Sequence, residues 1–406
     1  MDILCLMGLF PDEYRQEIQK NSIQGIQNAA DKLQRSIVKG LASIDDMHIQ
    51  IANSLYIGSY PRRYRKLMIP SFEFSMFGKV TGTNIGFCNL AGLKNSFRYN
   101  TAKKVVKKWA ETDSGEEKAL IIYALTGAFT RIAHYVTIKH KNIKVCIIVP
   151  DLPEYMRPAE KDRFTFYNIL KKRAIFRIRR DIRMVDNYIL LTDAMKEWFG
   201  YPVKYKVLEG IAGEVFEGLI ECNREKKIIY AGGISQAYGV IDLVESFIKV
   251  GMPEWELILY GDGIDLQRVK KLAQGCDNVR IMGLVPNDEV VKAQQKASLL
   301  VNPRKNQIFT KYSFPSKILE YMSSGTPMIA YKLDGIPDEY DSFYYQISEA
   351  ENGMESTLRY VMTLTEDERN QMGEKARIFV KTYKNPTSQC MKIVELLSDT
   401  KVDSTK

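Results

Sequence analysis

At roughly 100–200 residues per domain, a chain of 406 residues holds two or three domains, which excludes a single small binding module. Its 45% hydrophobic and 26% charged content is that of a globular protein and excludes a collagen-like chain, a coiled-coil rod and extended disorder. The 58 Lys and Arg outnumber the 49 Asp and Glu, and the formal charge of +9 favours anionic partners such as phosphates, nucleic acid or acidic lipid without naming one.

In chain order, the first half alternates short β-branched apolar runs with stretches of helical period, the pattern of βαβ units. Strands are predicted at Asp2–Met7, His48–Ala52, Asn84–Phe87, Lys118–Tyr123, Val145–Val149, Tyr188–Leu191 and Tyr205–Leu208. A helix is predicted over Ser22–Leu41, where Ile23, Ile26, Leu33, Ile37 and Leu41 share one face. The second half is more regular, with strands at Lys227–Ala231, Trp255–Tyr260, Val279–Met282, Ser298–Asn302 and Pro327–Tyr331. Helices at Val240–Val250, Leu266–Ala273, Asp288–Lys296 and Ser316–Ser324 lie between them, which is a Rossmann-like order. The stretch Val207–Arg224, with Gly210 and Gly213 followed by polar residues, marks the hinge. The sequence therefore predicts an α/β domain over 1–210 and a second over 211–382, facing each other across a cleft. Residues 383–406 are predicted as a helix packing back on the first domain, with a frayed tail.

The six cysteines (Cys5, Cys88, Cys146, Cys222, Cys276, Cys390) are dispersed without a Cys-x-x-Cys pair and read as reduced thiols. Met1 runs directly into an apolar strand rather than a signal peptide, and no apolar run approaches the roughly 20 residues of a membrane span. Both features predict a cytoplasmic protein. His48, His134 and His140 have no metal-ligand spacing, so no metal site is predicted.

Three glycine punctuations follow successive strands of the second half: Gly232-Gly233, Gly261-Asp262-Gly263 and Gly283-Leu284-Val285-Pro286. At the carboxyl ends of parallel strands such loops can bring backbone N–H groups to a phosphate or a base, or they can simply close tight turns. No Gly-x-Gly-x-x-Gly or Walker loop is present, which argues against a dinucleotide dehydrogenase or a P-loop ATPase. The most informative stretch is Asn302-Pro303-Arg304 followed by Ser313-Phe314-Pro315-Ser316-Lys317-Ile318-Leu319-Glu320. Pro315 and Ser316 predict a helix start, as an N1 proline or a Ser cap would. Lys317 in the first turn is electrostatically odd, and a bound diphosphate would explain it. Glu320 lies on the same face, where its carboxylate could accept from a ribose diol or pair with Lys317 on a solvated surface.

The order Tyr230–Gly233, Tyr260–Gly263, Gly283–Pro286, Asn302–Arg304, Phe314–Met322 and Ser324–Pro327 closely resembles glycosyltransferase family 4, most specifically from about Lys226 to Tyr340. The stretch from Gly8-Leu9-Phe10-Pro11 to Gly40 is similar to bacterial polysaccharide-assembly members. The resemblance implies a GT-B fold and a nucleotide-sugar donor, UDP- before GDP-, held by the second domain as a co-substrate. It further implies transfer with retention of configuration and no metal or other cofactor. Glu320 matches the second glutamate of the family's Glu-x₇-Glu motif, which binds the donor ribose; at the first stands Tyr312. The family's diphosphate-gripping Arg and Lys are replaced by Gly233 and, approximately, Tyr238. Arg304 and Lys317 could restore that neutralisation.

In the first domain Asp151 follows an apolar strand in Val149–Met156 and reads either as a group contacting donor or acceptor or as a helix cap. The stretch Phe164–Arg183 interleaves apolar residues with Lys171, Lys172, Arg173, Arg177, Arg179, Arg180 and Arg183. It reads as an ordinary amphipathic helix or as one that meets an anionic membrane surface at the inner face of the plasma membrane. The resulting expectation is a glycosyltransferase acting on a saccharide acceptor, lipid-linked, in bacterial surface-glycan synthesis. The alternative is a non-catalytic GT-B subunit that binds nucleotide or glycan. No aromatic-basic RNA motif accompanies the charge, so no nucleic-acid partner is expected.

Overall fold

The structure, a computed structural model, describes residues 1–23, 25–155, 166–213 and 223–399. Met156, Phe164, Cys222 and the tail 400–406 lie outside these residues, as do the side chains of Phe166 and Tyr167. The chain forms two compact units, one of Met1–Ile211 with Pro386–Lys406 and the other of Ala212–Asn385.

The first unit runs β1 (Asp2–Met7), α1 (Asp12–Asn21), α2 (Asn28–Ala42), β2 (His48–Asn53), β3 (Met68–Ile69), β4 (Phe72–Met76), β5 (Val80–Asn84), β6 (Phe87–Cys88) and α3 (Lys94–Glu111). It continues with β7 (Lys118–Tyr123), α4 (Gly127–Lys139), β8 (Lys144–Val149), α5 (Phe166–Ile182), β9 (Asn187–Leu190) and β10 (Lys204–Val207). Eight described strands form one sheet in the order β10-β9-β8-β7-β1-β2-β5-β4, parallel except for the β4–β5 hairpin. β1, β7 and β8 are buried on both faces, as parallel strands under helices must be, and so read as unbroken apolar runs.

Two sequence expectations need correction here. The helix over Ser22–Leu41 is α2 alone, beginning at Asn28, because Ser22 closes α1 with its N–H and hydroxyl on Ile18 O, and Ile23 faces solvent. The strand over Asn84–Phe87 is instead the end of β5 and the start of β6 with Ile85 and Gly86 between them, where the Asn84 side chain donates to Pro70 O at 2.7 Å.

The second unit runs β11 (Glu225–Ala231), α6 (Val240–Val250), β12 (Glu256–Tyr260), α7 (Leu266–Leu272), β13 (Val279–Gly283), α8 (Asn287–Lys296) and β14 (Ala297–Asn302). It ends with α9 (Lys317–Ser323), β15 (Met328–Ala330), β16 (Tyr345–Gln346), α10 (Gly353–Thr363) and α11 (Glu366–Tyr383). Its described strands form a parallel sheet in the order β13-β12-β11-β14-β15-β16. Numbered within the unit this is 3-2-1-4-5-6, so the strand order reverses between β11 and β14. Helix α6 shows why the sequence folds this way: Val240, Leu243, Val244, Phe247 and Val250 recur at helical spacing and are all buried. Truncating a buried phenylalanine such as Phe247 typically costs about 3–5 kcal/mol. The last helix, α12 (Pro386–Ser398), returns to the first unit, where Cys390, Ile393 and Leu397 join Ile3, Cys5 and Ile37 in one core.

Candidate active site

In an open parallel sheet the crevice at the carboxyl ends of the strands flanking the reversal is the natural ligand site, and here those strands are β11 and β14. After β11 the chain passes through Gly232-Gly233 and a single turn at Gln236–Tyr238 into α6; after β14 it passes through Pro303 and Arg304. The two loops touch at Gly239, which has a φ of +76° and where a Cβ would lie 2.0 Å from Pro303 O, so only glycine fits.

Arg304 is the central group. Its guanidinium lies 5.6 Å from the Tyr238 ring centre and 5.0 Å from that of Phe309. Its Nε is buried with no hydrogen-bond partner among the described residues. Desolvation lowers its pKa, offset in part by Tyr238 and Tyr230. A half-buried cation held by aromatic faces, with a donor unsatisfied, is a site prepared for an anion.

Helix α9 brings the other predicted groups to the end of β11. The Tyr321 hydroxyl accepts from Ala231 N–H at 3.1 Å, which fixes the helix against the strand. One face back, a Cβ on Gly232 would lie 3.3 Å from Lys317 Cε, so the lysine stem lies along the glycine turn. Glu320 Oε1 accepts from Gln294 Nε2 at 2.9 Å. Gln294 is fully buried on α8, its backbone carbonyl accepts from Thr326 Oγ1, and its own Oε1 has no partner among the described residues.

The glycine loops do something different from the expected cradling of phosphate by backbone N–H groups. Gly232 N–H donates to Tyr260 O and Gly261 N–H to Gly283 O, both at 2.8 Å. Ile234 N–H donates to Asp262 O at 2.9 Å, and Gly263 N–H to Asp262 Oδ1 at 2.7 Å. The three turns are therefore laced side by side. Gly261, at φ +134°, would place a Cβ 1.8 Å from Gly232 O. Of the two readings left open for Gly261 and Gly263, the close packing of turns is the one the geometry carries. Gly283 also has a positive φ, of +71°.

The remaining predicted residues line the same strand ends. Tyr312 closes a one-turn helix, with Lys311 Nζ 4.7 Å from its ring centre. Ser313 follows it, and Phe314 is buried 5.5 Å from the Tyr340 ring. Pro315 O accepts from Ile318 N–H. Ser316 stands at the N-cap position, yet its side chain makes no capping bond, which corrects the expected Ser cap. Leu284 is 80% exposed beside Val285, and Ile264 is 91% exposed on the neighbouring loop, an apolar rim suited to one face of a base.

Asp151 belongs to the first unit, in a bend after β8. It caps no helix among the described residues: the chain turns at Pro153–Tyr155, with Tyr155 N–H on Leu152 O. Desolvation raises its carboxyl pKa although its side chain reaches solvent, and its charge helps raise that of the buried Tyr123. Sequence reasoning missed Gln294 and Phe309, neither of which carries a signal of its own apart from the fold.

Two α/β units built on largely parallel sheets, the second with its strand order reversing at a cationic, aromatic-lined crevice, place the chain in the class of proteins with the GT-B fold. Residues 225–367 match the family model described as Glycosyl transferases group 1, so the second unit holds a domain of that kind. Sucrose-phosphate synthase from Thermosynechococcus elongatus superposes with a TM-score of 0.62 at 13% identity, covering 98% of each chain. HepE of Anabaena, solved with UDP and glucose, gives 0.58 at 15% identity over 98% of this chain and 99% of that one. The chain is 25% identical over 201 residues to the exopolysaccharide phosphotransferase SCO2592 of Streptomyces coelicolor. That match takes in 47% of this chain and only 20% of the relative, so the matched stretch spans about a fifth of that protein's length.

Proposed function

We propose that the protein is a retaining glycosyltransferase that moves a sugar from a nucleotide-sugar, UDP- before GDP-, to a saccharide acceptor in bacterial surface-polysaccharide assembly, the acceptor being lipid-linked. The observation that carries this reading is Arg304, desolvated and with an unpartnered Nε at the strand reversal, where the glycine turn after β11 also holds the Lys317 stem. In the reaction the bond between the sugar's anomeric carbon and the diphosphate oxygen breaks, and the acceptor oxygen bonds to that carbon. The acceptor's proton passes to the departing diphosphate. Arg304 and Lys317 offset the charge that develops there, which replaces a metal ion in this role. Glu320, held by Gln294, accepts from the ribose hydroxyls, and Leu284 covers the base. Asp151 contributes the acceptor-side carboxylate.

A second reading, a non-catalytic nucleotide- or glycan-binding subunit, is favoured by Tyr312, whose hydroxyl cannot supply the charge of a carboxylate. Release of UDP from UDP-sugars in the presence of lipid-linked saccharide separates the two. Turnover that falls in Arg304→Ala and Lys317→Ala supports the enzyme. Nucleotide binding without turnover across donors and acceptors supports the subunit.

A further inference from the structure

Helices α3, α4 and α5 pack side by side in the first unit, α4 and α5 placed on one face of its sheet by the right-handed crossovers β7–α4–β8 and β8–α5–β9 and α3, which leads into β7, against α4. Together they carry fourteen Lys and Arg against two acidic residues, Glu111 and Asp181. That excess is larger than the +9 of the entire chain, so the molecule's basic character is concentrated on this layer. Helix α5 also breaks the usual rule for a surface helix, since among its described side chains only Ile178, Asp181 and Ile182 are buried. Ile169, Lys172, Arg173, Phe176 and Arg180 share one face at helical spacing and are all exposed, Phe176 by 70%. Leu170 beside them is exposed as well, and Phe97 of α3 adds a further aromatic. Arg180 pairs with Asp181 at 2.8 Å and Arg179 reaches Glu154 at 3.5 Å. Lys172, Arg173 and Arg177 have no acidic partner among the described residues.

We propose that this layer docks the protein on an anionic lipid bilayer. Ile169, Leu170 and Phe176 enter the boundary between headgroups and acyl chains, and Lys172, Arg173 and Arg177 lie among the lipid phosphates. Charge alone would fit nucleic acid equally, but the rest of the layer does not. Two of the layer's rings are already covered by cations, Arg131 lying 3.7 Å from the Tyr99 ring centre and Lys103 Nζ 4.4 Å from that of Tyr135, and the exposed Phe97 and Phe176 stand among aliphatic side chains rather than as a row of stacking platforms. Exposed Ile, Leu and Phe gain from hydrocarbon and gain little from a sugar-phosphate backbone. Docking deepens the glycosyltransferase reading by placing the protein where a lipid-linked acceptor resides, yet it requires no nucleotide.

The test is co-sedimentation of the full chain with vesicles of phosphatidylcholine alone or mixed with phosphatidylglycerol, at rising salt and without nucleotide. Binding is expected only to the anionic vesicles and should weaken with salt. Combined charge reversal in K172E/R173E/R177E should lower the affinity by about a hundredfold or more. Phe176→Ser should lower it by about tenfold with an unchanged melting temperature, because the side chain is already exposed. Phe176→Trp should show a blue-shifted emission on vesicles, a signature of insertion that a folding defect would not produce. Absence of binding, equal binding to neutral vesicles, or indifference to the triple variant overturns the proposal. Preferential, salt-sensitive capture of an oligonucleotide over vesicles overturns it in favour of nucleic acid. Because no nucleotide is present, a failure here leaves the donor site untouched, and a failure of donor binding leaves this result standing.

Discussion

Arg304 sits between Tyr238 and Phe309 as a planar cation whose aromatic neighbours hold it in place without neutralising it. Arg304→Ala is expected to reduce sugar transfer by about 10²–10³ in kcat, the usual loss on removing one donor aimed at developing charge. Arg304→Lys should recover only part of this, since an ammonium cannot pack flat against two rings; steady-state kinetics on both variants is the check. A different residue-scale effect belongs to Lys94 in the first unit. It is half-buried beside the buried Arg98 and donates to Ile57 O, and desolvation, the larger cause, with Arg98 pushes its pKa down to about 7. Between about pH 7 and its unfolded value near 10.4, the unfolded chain binds the extra proton. Stability contributed by Lys94 therefore rises with pH across that window and is lost as pH falls through about 7. The buried Cys5 and Cys146 thiols, raised to about 12, act in the opposite direction once pH exceeds roughly 8.5. Denaturation midpoints of the wild type and Lys94→Met compared from pH 6.5 to 8.5 should diverge, with the wild type gaining on the variant as pH rises. Parallel curves would mean that the Lys94 amine is not desolvated. Lys317 was legible because a cation is odd in the first turn of a helix, and Arg304 and Glu320 because they stand in the motifs that resemble the family. Gln294 was not, because a glutamine late in a helix looks like any surface residue until the fold buries it against Glu320.

At the scale of elements, the turns after β11 and β12 separate two roles that share one residue type. Gly261→Ala forces a Cβ against Gly232 O at a positive φ and should destabilise the second unit by about 3 kcal/mol or more. A Cβ on Gly233 would meet only the Tyr238 ring edge, at 3.0 Å. Gly233→Ala should therefore melt nearly as the wild type and lose nucleotide affinity; melting curves and nucleotide titration of both variants decide this. Gln294→Leu should raise KM for the donor more than it lowers kcat, because Glu320 then loses the amide that orients it. The regular second half of the chain was readable to within a residue or two at most strand ends because its central strands are apolar runs, β14 buried at every residue. Helix α1 escaped notice because its sequence, Asp12–Asn21, is almost wholly polar and buries only Ile18 and Asn21. The β4–β5 hairpin was missed although Phe77 and Gly78, both at positive φ, form its turn; a phenylalanine gives no turn signal.

For the whole molecule, the succession of strands and helices was readable from period and punctuation, whereas the strand order 3-2-1-4-5-6 that selects β11 and β14 was not. Order arises from contacts between elements distant in sequence, which no local pattern encodes. The most direct test of the donor site is thermal unfolding with and without millimolar UDP, GDP and their sugar conjugates, repeated on Glu320→Ala. At a hundredfold excess over Kd a ligand specific to the native state adds about 2.7 kcal/mol. A rise in Tm selective for one base and lost in Glu320→Ala is the predicted result. No shift with any nucleotide, or a shift that survives unchanged in Glu320→Ala, contradicts the assignment of a nucleotide-sugar to this crevice.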